Sequence, residues 1–180
     1  MLPNELEVRA ARFDEINQIQ NLIAVSAREL SRGYYSDRQI EAAIARVFGI
    51  DTTLVADGTY FVAEAAGVIQ GCGGWSKRRT LFGGDQYQSR DSALSDPAVD
   101  SAKIRAFFVH PRSARSGIGR ALLAKCEAEA KAAGYKSAEL MSTLPGVSFY
   151  CACGYTSGEP TKFVVGDAIE IEFVPMKKSL

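Results

Sequence analysis

The chain contains one histidine, His110, in 180 residues. A histidine-rich metal site is therefore excluded. Any Ser-His-Asp or Cys-His arrangement would have to use that single ring, and no G-x-S-x-G string flanks it. Cysteine is also sparse. Cys72 and Cys126 are isolated, and Cys151 and Cys153 form C-A-C, which is neither the redox spacing C-x-x-C nor a paired zinc knuckle. Charge of one sign is missing as well: 21 basic and 21 acidic residues cancel. No overall basic field gathers nucleic acid or an anionic membrane, so a phosphate site would have to be local. No run approaches the roughly 18 apolar residues of a membrane span, and "MLPNELEVRA" lacks the apolar core of a signal peptide. These absences lead to the expectation of a protein of the reducing cytoplasm with no metal, nucleic-acid or membrane partner.

What is present is apolar residue in quantity. Hydrophobic types make up 47% of the chain, enough for a core without disulfide or metal staples. The length and the lack of repeats predict one domain over 1–180. "LEVRAA" alternates as a short strand. Ile16, Ile19, Ile23, Ala27 and Leu30 recur at three-to-four spacing, which predicts an amphipathic helix. Ser36 and Gln39 form a capping box ahead of Ile40, Ala43, Ile44 and Val47, with Gly49 placed to end that helix. "TYFVAEAA" and "VIQGCGGW" flank Gly67 as a hairpin ending near Trp75. Residues 76–102 are polar, rich in turn formers and without a sustained period. They predict a long surface connection, with room for one short helical turn, that either serves as a lid or substrate wall or is disordered.

"KIRAFFV" is the next strand, stopped by Pro111. A helix from about Gly117 to Ala133 buries Ile118, Leu122, Cys126 and Ala130 and ends at Gly134. "SAELMS" is a strand, "GVSFYCACGY" a short helix ended by Gly154, and "TKFVVGDAIEIEFVPM" two strands around Gly166-Asp167. The order β-α-α-β-β-β-α-β-α-β-β predicts an α+β or mixed α/β sheet domain.

The stretch "HPRSARSGIGRALL" puts glycines between a strand and a helix start, where unpaired amides and the helix dipole favour an anion. A mononucleotide loop would need G-x-x-x-x-G-K-[ST], which does not occur. A dinucleotide fingerprint would need a small third residue, where Leu122 stands. A pyrophosphate of the coenzyme A kind remains. Glycine spacing alone leaves that reading and an ordinary capped helix both open.

"AFFVHPRSARSGIGRALLAKCEAEAKAAGY" followed by "FYCACGY" resembles the GNAT superfamily of N-acetyltransferases. Val109–Leu123 resembles its acetyl-coenzyme A motif, and Phe149–Tyr155 its F-Y-x-x-x-G-[FY] segment. The resemblance implies a central, mostly antiparallel sheet of six to seven strands flanked by helices, and transfer of an acetyl group from acetyl-coenzyme A to a primary amine of a small molecule or peptide. A coenzyme-binding sensor without turnover is the alternative, and a homodimer is admitted. It further implies that Phe107, Phe108 and Val109 lie along the pantetheine arm and that the Val109 N–H polarises the thioester carbonyl. The backbone of Arg115, Ser116, Gly117, Ile118, Gly119 and Arg120 would cradle the pyrophosphate, and Tyr150 would donate a proton to the leaving thiolate. The family's leading Gln or Arg falls on Ala114, so one side-chain contact is lost there.

No residue stands out as a base. Glu64, Glu139, Glu170 and Glu172 lie on predicted strands, where solvated charge is the ordinary role, and Lys103 and Arg105 stand where some relatives keep an acid. His110 reads as a turn stabiliser, Arg78 and Arg79 as solvated charges, Cys151 and Cys153 as buried small residues, and Trp75 as a packing anchor that also walls the cleft. Acceptor determinants are expected in 26–50, 76–102 and the final hairpin.

Overall fold

The computed structural model of the chain describes residues 6–180. A single eight-stranded sheet runs through it. β1 (Glu7–Ala10), β2 (Tyr60–Ala65), β3 (Val68–Ser76) and β4 (Ala102–Val109) form an antiparallel series. β4 lies parallel to β5 (Ser137–Thr143). β6 (Thr156–Ser157), β7 (Thr161–Val164) and β5 all pair antiparallel with β8 (Glu170–Ser179). The mostly antiparallel sheet agrees with expectation, and the two-residue β6 adds one strand to it.

Helices cover both faces because each carries an apolar stripe that must leave water. α1 (Ile16–Leu30) and α2 (Asp37–Arg46) bury Ile19, Ile23, Ala27, Ile40 and Ala43 in one cluster. α4 (Ile118–Ala132) buries Ile118, Leu122, Cys126 and Ala130 in the other, as its spacing predicts. Complete burial of a side chain such as Leu122 contributes about 1.5–3 kcal/mol. The α2 capping box forms as expected: the Gln39 N–H donates to Ser36 Oγ at 3.2 Å, and the Ser36 N–H to Gln39 Oε1 at 2.9 Å. The predicted stop at Gly49 does not hold. α2 closes at Val47, and Gly49 instead lies against Gly84 and the Gln86 side chain, where a Cβ would come within 2.7 Å of Gln86. Its small size serves close approach, not a cap. The five-residue α3 (Thr52–Ala56) follows, capped by Asp51, and was not legible in so short a pattern.

The connection 77–101 contains no helix but is firmly anchored. Arg105, 2% exposed, donates to Asp51 Oδ2 at 3.0 Å, to the Thr80 carbonyl at 3.1 Å and to the Gly83 carbonyl at 2.6 Å. Arg90 donates to the other Asp51 oxygen at 2.9 Å, and Arg78 forks onto Asp57 with two contacts of 2.8 Å. Arg78 is thus an ion-pair partner and not a merely solvated charge.

Candidate active site

The site originates in a failure of strand pairing. β4 and β5 pair only at Ala102–Ala138 and Lys103–Glu139. Beyond Lys103 the two strands separate, and β4 bulges against β3: Cys72 pairs with Phe108 and Gly74 with Arg105, so β4 carries one extra residue. Ala106 absorbs the bulge at φ +52°, and the Tyr60 hydroxyl fixes it by donating to the Ala106 carbonyl at 2.9 Å. The opening is a cavity of about 640 Å³ bordered by β4, β5, α1, α5 and the start of α4.

One edge of β4 faces this opening without a strand partner. The His110 N–H donates to the Gln70 carbonyl at 2.8 Å. Groups on alternate residues of an antiparallel strand point to opposite sides, so the Val109 N–H turns towards the opening. Phe107, Phe108 and Val109 all line it.

At one end the chain makes an amide cradle. Arg115 at φ +62° and Gly117 at φ +90° bend the backbone into the start of α4. The first helical bond is Ala121 N–H to the Gly117 carbonyl, and among the described residues no backbone acceptor meets the N–H groups from Arg115 to Arg120. Converging free amides at a helix start, with the dipole behind them, attract an anion. Arg115, Gly117, Ile118, Gly119 and Arg120 line the cavity, and Ser116 lies exposed at the rim with its hydroxyl on the Ser113 carbonyl at 2.6 Å. His110 holds the preceding turn, as expected, by accepting the Arg112 N–H at Nδ1, 3.2 Å. Ala114 also lines the cavity.

α5 (Val147–Ala152) joins the two halves of the sequence pattern. Phe149 lies so close over Gly119 that a Cβ there would meet its ring at 3.2 Å. Tyr150 packs edge-on to Phe107, Phe149 and Tyr155, with centroid separations of 6.4, 4.9 and 5.7 Å. The tyrosine is buried in protein yet lines the cavity, and among the described residues its hydroxyl has no hydrogen-bond partner. Burial holds its phenol well above the ordinary value, so it stays protonated. Tyr35 positions the turn ahead of α5: its hydroxyl accepts the Leu144 N–H at 2.8 Å and donates to the Glu172 carbonyl at 2.6 Å.

Four candidate bases do not reach the cavity. Glu64 pairs with Arg9, Glu139 with Lys103, and Glu170 with Lys162 at 3.6 Å; Glu172 borders a separate, smaller depression. Trp75 is the expected anchor, edge-on to Tyr135 with Nε1 on Glu129 at 3.2 Å, but it does not wall the cleft. Cys151 is exposed and Cys153 half-buried, contrary to expectation, because the one-and-a-half turns of α5 point Tyr150 inward and carry its neighbours out. The buried thiols are Cys72, pushed up to about 12 by burial, and Cys126. Phe48, Phe82 and Phe173 line the cavity from three separate segments, and nothing in their local pattern marks them as one wall.

Residues 18–155 match the Acetyltransferase (GNAT) family. The chain belongs to that family. A comparison with curated proteins finds no match. The acetyltransferase shares its fold with solved structures at low identity. A GCN5-related N-acetyltransferase from Rhodopseudomonas palustris superposes with a TM-score of 0.73 at 18% identity, covering 100% of this chain and 99% of that one. The PaiA N-acetyltransferase from Thermoplasma acidophilum, solved in complex with coenzyme A, gives 0.67 at 15% identity, covering 98% and 99%. A GNAT acetyltransferase from Brucella melitensis, solved with acetyl-coenzyme A, gives 0.55 at 20% identity, covering 85% and 84%. No helix of this acetyltransferase among the described residues is long and apolar enough to cross a membrane.

Proposed function

We propose that the chain moves an acetyl group from acetyl-coenzyme A to a primary amine of a small molecule or peptide, by direct attack with both reactants bound. The observation that carries this reading is one continuous cavity with unpaired amides at one end and a protonated, unpartnered phenol in its wall. The residues fit the coenzyme: the 115–120 amides match a pyrophosphate, Arg115 and Arg120 add charge, and the unpaired edge of β4 offers strand-like bonds to the pantetheine amides. Ala114 removes a side-chain contact but none of these backbone donors.

When bound, the coenzyme supplies an acetyl group already activated as a thioester. Positioning of the two reactants is the chain's main contribution. The Val109 N–H polarises the thioester carbonyl as its oxygen gains charge. As the amine nitrogen bonds to the carbonyl carbon, the carbon–sulfur bond breaks, and Tyr150 passes its proton to the departing sulfur. The amine gives up its own proton to solvent, and the Tyr150 phenolate takes one back from solvent, which restores the acid. The free Tyr150 hydroxyl favours turnover over a sensor role, which has no use for it.

Thermal unfolding with and without acetyl-coenzyme A tests the coenzyme. A thousandfold excess over Kd stabilises by about 4 kcal/mol, and an unchanged transition overturns the reading. Release of free coenzyme A in the presence of an amine panel then separates enzyme from sensor.

A further inference from the structure

We infer that the acceptor is a small amine on an aromatic or bulky apolar body, taken up in its uncharged form. This rests on the acetyl-transfer reading, which assigns the 115–120 end to the coenzyme and leaves the α1 end for the acceptor. The acceptor end is walled by Phe48, Phe82, Phe108 and Phe173, which touch one another with centroids 5.7 to 6.1 Å apart. Phe163 and Tyr87 back Phe82 at 4.8 and 4.9 Å. Leu30, 37% exposed, and Tyr34, 56% exposed, border the same opening, so its mouth is apolar too. Faces and edges of this kind receive a ring.

Charge is as informative as shape. Among the described residues lining the cavity there is no Asp, Glu, His or Lys. The charged side chains in the lining are Arg105, Arg115 and Arg120. Arg105 is committed to Asp51, Thr80 and Gly83, so it offers no free cation for an acceptor carboxylate. Asp51 is in turn taken by Arg105 and Arg90. Glu170 and Glu172 border the smaller depression, which shares only Tyr34 with the cavity. An ammonium entering here would lose its hydration and meet no counter-ion, which is strongly unfavourable. The polar side chains at that end are neutral hydroxyls, among them those of Ser26, Ser31, Tyr34 and Thr143, which suit a neutral nitrogen.

No base in the lining takes the proton, so the neutral fraction of the acceptor sets its reactivity. At about pH 7.4 an amine with a pKa of about 10.4 is roughly 0.1% neutral, whereas an α-amine near 7.8 is about a quarter neutral. An arylamine is neutral throughout that range, because its lone pair is delocalised into the ring. Polyamines and lysine side chains are thereby disfavoured twice, by protonation and by the apolar wall.

The test uses 4-methylaniline, benzylamine and spermidine with the intact protein. Acetyl-coenzyme A binding is measured first by calorimetry; its absence overturns the acetyl-transfer reading itself, independently of the acceptor. With the protein saturated by coenzyme A, 4-methylaniline should bind at least about tenfold more tightly than spermidine at neutral pH. With acetyl-coenzyme A, kcat/KM for benzylamine should rise about tenfold per pH unit between about 6.5 and 8.5 while that for 4-methylaniline stays level. A common apparent pKa for both acceptors would reveal a base on the enzyme and overturn the inference. So would preference for spermidine, or failure of both ring amines to bind or react on coenzyme-loaded protein. Leu30→Glu, at the exposed mouth, should improve benzylamine binding several-fold without loosening acetyl-coenzyme A; no gain at matched stability counts against the missing counter-ion as the cause.

Discussion

The two ends of the cleft are built on opposite principles. The 115–120 end is backbone: free amides, a left-handed Arg115, Gly117 at φ +90°, and arginines at the rim. The α1 end is side chain: a wall of phenylalanines gathered from four separate segments, with its one buried cation already neutralised. Backbone amides recognise a feature shared by every coenzyme molecule and depend little on residue identity. A side-chain wall can be rewritten residue by residue, so on the acetyl-transfer reading proposed above the difference puts constancy at one end and specificity at the other.

The largest effect should come from the support behind the phenylalanine wall. Arg105→Ala leaves Asp51 buried with half its pairing and strips two carbonyls of their donor, so it should cost about 3–5 kcal/mol in denaturant unfolding. Arg78→Ala, at a pair whose arginine side chain is 26% exposed, should cost about 1 kcal/mol or less. Equal losses would show that burial does not separate these two anchors. Next comes the boundary between the halves. Tyr150→Phe should lower kcat about a hundredfold or more with little change in stability, read by coenzyme A release under saturation; full activity across pH would remove the acid role. A smaller effect belongs to the cradle. Gly117→Ala places a side chain where φ is +90°, at a cost of about 1–2 kcal/mol, and should weaken coenzyme binding roughly five- to thirtyfold while the acceptor KM holds. Last is a slow alkaline loss. Burial raises Tyr35 to about 12 and also raises Tyr150, so the folded state retains protons that the unfolded chain releases near 10. Their contribution is complete below about pH 10 and should fade as pH climbs towards 12, visible as a falling melting temperature.

Much of the architecture was legible because its signals are local. The Ser36–Gln39 capping box, the stripe of α4 and the left-handed Gly134 and Gly154 each report on a few neighbouring residues. The same locality explains the misses. Gly49 has the composition of a helix stop, yet its neighbour in space is Gln86, thirty-odd positions away. Cys151 and Cys153 have buried-residue chemistry, yet a helix as short as α5 has room for one inward face, and Tyr150 occupies it. Of the four strand glutamates, Glu64, Glu139 and Glu170 pair with Arg9, Lys103 and Lys162, and none of the four lines the cavity, relations that no local pattern reports.

Sequence by itself determined the element order apart from α3 and β6, the glycine turn into α4 and the family, since backbone turns and helix starts are written in contiguous residues. The tertiary structure alone decided where β4 parts from β5, which charges are neutralised, and which phenylalanines share a wall. Those properties depend on contacts between segments up to more than a hundred residues apart, as between Phe48 and Phe173, and only the closed fold brings them together.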